Sequence, residues 1–194
     1  MRTVRTKIYK FEELTKEAQQ KAIENYRNDD FIHLDMFNDD AAEKIIEAGF
    51  YDDVKIKYSL SYSQGDGLSF AAKRIESKIL LQMFAEILGT DKEKTAKVII
   101  ENCSFKCTGN TGNHYCYASR NDVYFEFDDY SANKPNIHEL VSKVETKLKD
   151  LYMSICAELE KQGYAEIKYQ RSDEYISEEI ISNDYEFTEN GNIF

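Results

Sequence analysis

The stretch VKIKYSLSYSQGDGLSF, residues 54–70, decides the fold. Val54, Ile56, Tyr58, Leu60 and Tyr62 alternate with Lys55, Lys57, Ser59, Ser61 and Ser63. A period of two sends successive side chains to opposite faces of a strand. Gln64-Gly65-Asp66-Gly67 then has turn chemistry, and Leu68 and Phe70 resume the alternation. The segment is expected to be an antiparallel hairpin, 54–62 against 68–72, with Tyr58, Leu60 and Tyr62 packed beneath the long helix of the C-terminal half.

Toward the N-terminus, Arg2–Tyr9 suits a short edge strand. Thr15 is placed to cap a helix that carries Ala18, Ala22, Ile23 and Tyr26 on one stripe. A second helix is expected from Asn38, burying Ala41, Ala42, Ile45 and Ile46 and stopping at Gly49. Toward the C-terminus, Ile75, Ile79, Leu80, Met83, Phe84, Ile87 and Leu88 have helical spacing up to Gly89. Thr90 and Glu93 fit a capping box for the next helix. Strand character returns over 99–127, with turns at Asn110-Thr111-Gly112-Asn113 and near Ser119–Asn121.

Pro135 and Asn136 open the longest helix, whose stripe runs through Ile137, Leu140, Val141, Val144, Leu148, Leu151, Tyr152, Ile155 and Leu159. Ser172 caps a last helix with Ile176 and Ile180, and 185–194 folds back through Asn190-Gly191. The expected class is α+β: an antiparallel β-meander of about four strands with several packed α-helices, one of them long and in the C-terminal half. No composition shift marks a boundary, so residues 1–194 are expected as one domain, or as one domain with a small helix-hairpin appendage over 171–194.

Charge narrows the function classes. The chain carries 25 basic and 36 acidic residues, a net charge of −11. Seven basic and four acidic groups fall in residues 1–27, nine acids against Lys44 alone in 28–54, and ten acids against Lys161, Lys168 and Arg171 in 158–194. Such fields repel nucleic acid and attract basic protein surfaces. Asp29, Asp30, Asp35, Asp39, Asp40 and Glu43 are therefore the candidate partner-binding residues. The N-terminal MRTVRTKIYKFEEL lacks the apolar run of a signal peptide, and no stretch is long and apolar enough to cross a bilayer. A cytoplasmic protein with reduced thiols and no membrane association is expected.

No nucleophile elbow, phosphate loop or dinucleotide fingerprint is present, so no catalytic residue and no cofactor is assigned. Cys103, Cys107, His114 and Cys116 are four soft ligands within a short span. On a strand, Cys103 and Cys107 would stand about 13 Å apart, too far to share a zinc ion. A two-residue loop at Thr111-Gly112 sets Cys107 directly opposite Cys116, and the two are expected as cross-strand neighbours; a three-residue loop would instead set Cys107 opposite Tyr115. Either way no metal is expected. The alternative ligand-binding set is Ser61, Ser63, Gln64 and Asp66, on the hairpin. Tyr115, Tyr117 and Tyr124 could add aromatic platforms beside it, of the kind that single-strand binders use.

Four segments together, KIYKFEELTKEAQQKAIENYRND, YSLSYSQGDGLSF, GNHYCYASRNDVYFEF and GYAEIKYQRSDEYISEEIISNDYEFTENGNIF, resemble small acidic proteins encoded by bacteriophages and prophages of AT-rich bacteria. The resemblance covers most of the chain and brings no catalytic motif with it. It implies an accessory protein acting in the bacterial host cytoplasm. A non-enzymatic inhibitor of a host defence nuclease fits, of the anti-CRISPR or antirestriction type, whose carboxylates stand where DNA phosphates would dock. Its partner would be a host protein, a basic nucleic-acid-binding effector. The alternative is an accessory protein that binds or processes a nucleotide or nucleic acid around the 58–70 hairpin.

Overall fold

In the computed structural model the described residues are 6–29, 32–89, 93–101, 103–108, 115–127 and 135–194. They form a mixed helix-and-strand protein with small antiparallel sheets and a long helix near the C-terminus. The chain divides into two compact units, residues 35–163 and residues 1–34 with 164–194.

The larger unit contains α2 (Asp35–Glu47), β2 (Phe50–Tyr51), β3 (Lys55–Ser59), β4 (Gly67–Ala71), β5 (Arg74–Ile75), α3 (Ser77–Leu88), α4 (Glu93–Glu101), β6 (Cys103–Thr108) and β7 (Asp122–Phe127). It also holds most of α5 (Pro135–Gln170). Helix α2 begins earlier than Asn38 and buries Phe37, Ala41 and Ile45, while Ala42 is half-buried and Ile46 exposed. It ends as expected: Gly49 takes φ 92° and its N–H donates to the Ile46 carbonyl at 2.8 Å.

Strands β3 and β4 pair antiparallel, with Ile56 opposite Phe70 and Tyr58 opposite Leu68. The buried strand of the pair is the returning one: Gly67, Leu68, Ser69 and Phe70 are all buried. Tyr58 meets Phe37 edge-on at 5.6 Å. Leu60 lies against Gly163 of α5, where an added Cβ would come within 2.5 Å of it. Tyr62 departs from the expected register. It lies past the end of β3, takes φ 59° and is 70% exposed, because the chain has already entered the turn.

The strands pair two by two, β2 with β5, β3 with β4 and β6 with β7, rather than as a four-strand meander. The reason lies at the far edge of β4. There the Tyr152 hydroxyl of α5 accepts from the Phe70 N–H at 3.1 Å and donates to the Phe70 carbonyl at 3.0 Å. The Asn121 amide donates to that carbonyl at 3.2 Å and also to the Tyr152 hydroxyl. Side chains thus do the work of a neighbouring strand, and β6 touches this edge only through the single bridge Ala72↔Cys107. Phe50, Phe70 and Tyr152 pack as a ring cluster with centroids 4.6–6.5 Å apart. Val141, Val144, Leu148, Tyr152, Cys156 and Leu159 bury the α5 stripe.

The β6–β7 register corrects the expected two-residue hairpin. Cys107 pairs with Val123 and Cys103 with Phe127, so Cys107 faces neither Cys116 nor Tyr115. The chain makes a longer excursion between the strands, returning through a 3₁₀ turn at Ala118–Arg120. The turn expected at Asn110–Asn113 and the capping residue Thr90 lie outside the described residues, as do residues 2–5 of the expected strand Arg2–Tyr9; of its described residues 6–9 only Tyr9 is in a strand, which runs on to Lys10.

The smaller unit contains β1 (Tyr9–Lys10), α1 (Lys16–Asn28), the end of α5, α6 (Asp173–Ser182) and β8 (Glu186–Phe187). Thr15 caps α1 by accepting from the Ala18 N–H at 3.3 Å, and Ser172 caps α6 by accepting from Tyr175 at 3.2 Å. Phe11, Leu14, Ala18, Ala22, Ile23, Ile176, Ile180 and Phe187 form one core. Strand β8 pairs with β1, and Phe187 bridges Ile193 on the return through Asn190-Gly191. Segment 171–194 therefore shares its core with the first residues of the chain.

Candidate functional site

Helix α2 carries its charge on one side. At 100° per residue, Asp35, Asp39, Asp40, Glu43 and Glu47 fall within an arc of about 140°, opposite the buried Phe37, Ala41 and Ile45. All five carboxylates are exposed. Met36, 82% exposed, and Ile46, 50% exposed, lie among them. Lys44, at the edge of this arc, directs its ammonium to the Gln162 side chain on α5. None of the five carboxylates forms an ion pair or hydrogen bond with a side chain of a described residue.

Several acids elsewhere in the same unit are partnered. Asp53 binds Lys73 at 3.0 Å and Lys55 at 3.1 Å, which holds its carboxyl below the usual range. Asp52 meets Arg74, Glu93 meets Lys97, Glu139 meets Lys143, and Glu86 meets Lys147. Of the remaining candidate acids, Asp29 follows α1 in the smaller unit and Asp30 lies outside the described residues. The α2 set is thus Asp35, Asp39, Asp40 and Glu43, joined by Glu47. Its i, i+4 spacing was visible in the sequence, although the expected helix start at Asn38 left Asp35 outside it.

The hairpin loop is closed on itself. The Asp66 carboxylate accepts from the hydroxyls of Ser59, Ser61 and Ser63 at 2.9–3.0 Å and from the Ser61 and Ser63 N–H groups at 2.7 and 3.0 Å. Ser61 and Ser63 therefore turn toward Asp66, and Gln64 is exposed. The strand-like reading of 60–63 missed this knot, although Ser-x-Ser-x-x-Asp is the pattern that makes it.

Beside the loop runs Tyr115-Cys116-Tyr117. Cys116 is buried and its N–H donates to the Gly65 carbonyl at 3.3 Å. Tyr115 lies over Gly65, where an added Cβ would come within 2.5 Å of its ring, and Gly65 takes φ 107°. Tyr117 stacks on Tyr115 with centroids 5.6 Å apart and planes within 6°. The Arg120 guanidinium sits 5.0 Å from the Tyr115 centroid. Tyr124 is exposed on β7, opposite Lys106.

The thiols are interior groups. Burial pushes Cys107 up to about 11 and Cys156 up to about 12. The Cys107 thiol points at the Phe70 carbonyl, 3.8 Å away. Cys116 is raised as well, mainly by burial, with Lys57 opposing and Asp66 adding. His114 lies outside the described residues, among which no group of three His, Cys, Asp or Glu side chains is arranged to hold a metal ion. Nor is any helix among them long and apolar enough to cross a membrane. Comparison with protein-family models, curated proteins and solved structures gives no match.

Proposed function

We propose that the protein is a non-enzymatic binder that offers the outer face of α2 to a basic, nucleic-acid-binding protein, and that it blocks a host defence nuclease in this way. The observation that carries the reading is the row of five exposed carboxylates on one helix face with no counter-ion among the described residues, in a unit where Asp52, Asp53, Glu86, Glu93 and Glu139 each hold one. From Asp35 to Glu47 the helix rises about 18 Å, so the row carries one charge per ~4.5 Å of axis. One strand of B-DNA carries one per about 3.4 Å. A groove lined with Lys and Arg would meet a similar linear charge density on α2. Met36 and Ile46 add apolar contact that a phosphate backbone does not have, a source of specificity for one protein partner.

The test is capture from bacterial lysate on immobilised wild type and on a variant with Asp35, Asp39, Asp40 and Glu43 all changed to Lys. The expected partner is a single basic nucleic-acid-binding protein, displaced by duplex DNA and by raised salt, and not retained by the variant. Equal retention of that partner by the folded variant would refute the reading.

A further inference from the structure

Five described acids of the larger unit outside α2 hold a cation, and Arg120 is among the described cations there that hold no acid. Arg120 makes no ion pair with any described residue, in a chain with eleven more acidic than basic groups, and its guanidinium rests on Tyr115 instead. The short segment that carries it is anchored at both ends. Cys116 is buried and bonded to Gly65, and Asn121 is buried and bonded to the Phe70 carbonyl and the Tyr152 hydroxyl. Between these anchors Tyr115 and Tyr117 remain 41% and 37% exposed, with their rings parallel. The loop beneath is held by the five hydrogen bonds of Asp66. Rings stacked to bury themselves would be covered; these are fixed in place and left open to solvent.

We infer that Tyr115, Tyr117 and Arg120 form a binding site for a single nucleotide, its base stacked on the tyrosine pair and its phosphate held by Arg120. An aromatic face takes any base by stacking, and a guanidinium suits a phosphate because its fork of N–H donors matches two oxygens. The extent of the platform sets the size of the ligand. Two stacked rings accommodate one base, and the net charge of −11 opposes a polyanion far more than a mononucleotide. The site shares no residue with the α2 face, so it holds or fails independently of the reading above.

Calorimetric titration of the full chain with AMP, GMP, CMP and UMP tests it, beside adenosine, inorganic phosphate and a ten-nucleotide single strand. Saturable binding of at least one monophosphate is expected, tighter than adenosine or phosphate alone. Tyr117→Ala and Arg120→Gln should each weaken it about tenfold or more, the loss expected for one base–aromatic stack or one charged contact. Tyr117→Phe should retain it, which separates a stacking role from loss of fold. The inference is overturned if no monophosphate binds at millimolar concentration. Unchanged affinity in both Tyr117→Ala and Arg120→Gln would overturn it too, as would tighter binding of the single strand than of its monomer.

Discussion

The inner edge of β4 and the outer face of α2 treat polar groups in opposite ways. At Phe70 each buried donor has an acceptor: the Tyr152 hydroxyl, the Asn121 amide and the Cys107 thiol all converge on one carbonyl. On α2 five charged groups share a face with no side-chain donor of a described residue aimed at any of them. The difference follows from what the backbone leaves available. An edge strand offers unpaired N–H and C=O groups that side chains can complete. The middle of a helix has spent its amides on itself, so its carboxylates can only look outward. The first region is stability; the second is charge left for something else.

The largest effect should come from charging the inner region. Burial raises Cys107, Cys156 and Tyr152, so the folded protein holds these protons to higher pH than the unfolded chain does. Between the ordinary thiol value, about 8.5, and the raised ones the unfolded state binds fewer protons. Stability is then full below about pH 8.5 and falls as pH rises toward 11 and 12. Unfolding free energies from urea melts between pH 7 and pH 11 should decline by on the order of several kcal/mol, with the midpoint falling accordingly. Cys107→Ala with Cys156→Ala should lower stability at pH 7 but flatten the decline. An unchanged slope in that variant would mean that the thiols ionise without penalty and that the interior is wetter than the packing implies.

The Asp66 knot lies between the two extremes, a carboxylate at the surface with its oxygens fully used. Asp66→Ala removes the acceptor for three hydroxyls and two amides and releases the left-handed Tyr62 between them. Water can replace part of this, so the expected cost is about 2 kcal/mol. For a chain of this length that is a fall in Tm of about 4–8 °C. Asp66→Asn, with one acceptor oxygen, should lose roughly half as much. A loss below about 0.5 kcal/mol for Asp66→Ala would show the knot to be ornamental.

Local chemistry was legible in the sequence wherever neighbours along the chain decide it. The Thr15 and Ser172 caps, the 54–70 hairpin, the Gly49 stop and the α5 stripe all follow from short-range rules. Pairings set by distant residues were not. Nothing in Tyr9 and Lys10 names Phe187 and Glu186 as their partners, and nothing near Cys107 says that it pairs with Val123 or that Tyr115 is set over Gly65. The meander was inferred from strand count alone, and what replaced it was an edge filled by Tyr152 and Asn121, residues with no strand signal. For the candidate site, the acids of α2 were legible as a charge run, but their common face depends on where the helix starts.

The smallest effect should come from α2, and its smallness is the informative part. Asp39 lies one helical turn from both Asp35 and Glu43, so Asp39→Lys turns two like-charge i, i+4 neighbours into opposite-charge ones. Each such pair contributes about 0.2–0.5 kcal/mol, set against a modest loss because a lysine near the helix N-terminus faces the positive end of the dipole. The folded protein should therefore be unchanged or a few tenths of a kcal/mol more stable, as read from urea melts at low salt, with the gain vanishing as salt is added. The same substitution should weaken capture of a basic partner. A face kept for folding would lose stability when altered, whereas a face kept for a partner loses only the partner. Clear destabilisation by Asp39→Lys, without loss of binding, would place α2 with the β4 edge and remove the contrast between the two regions.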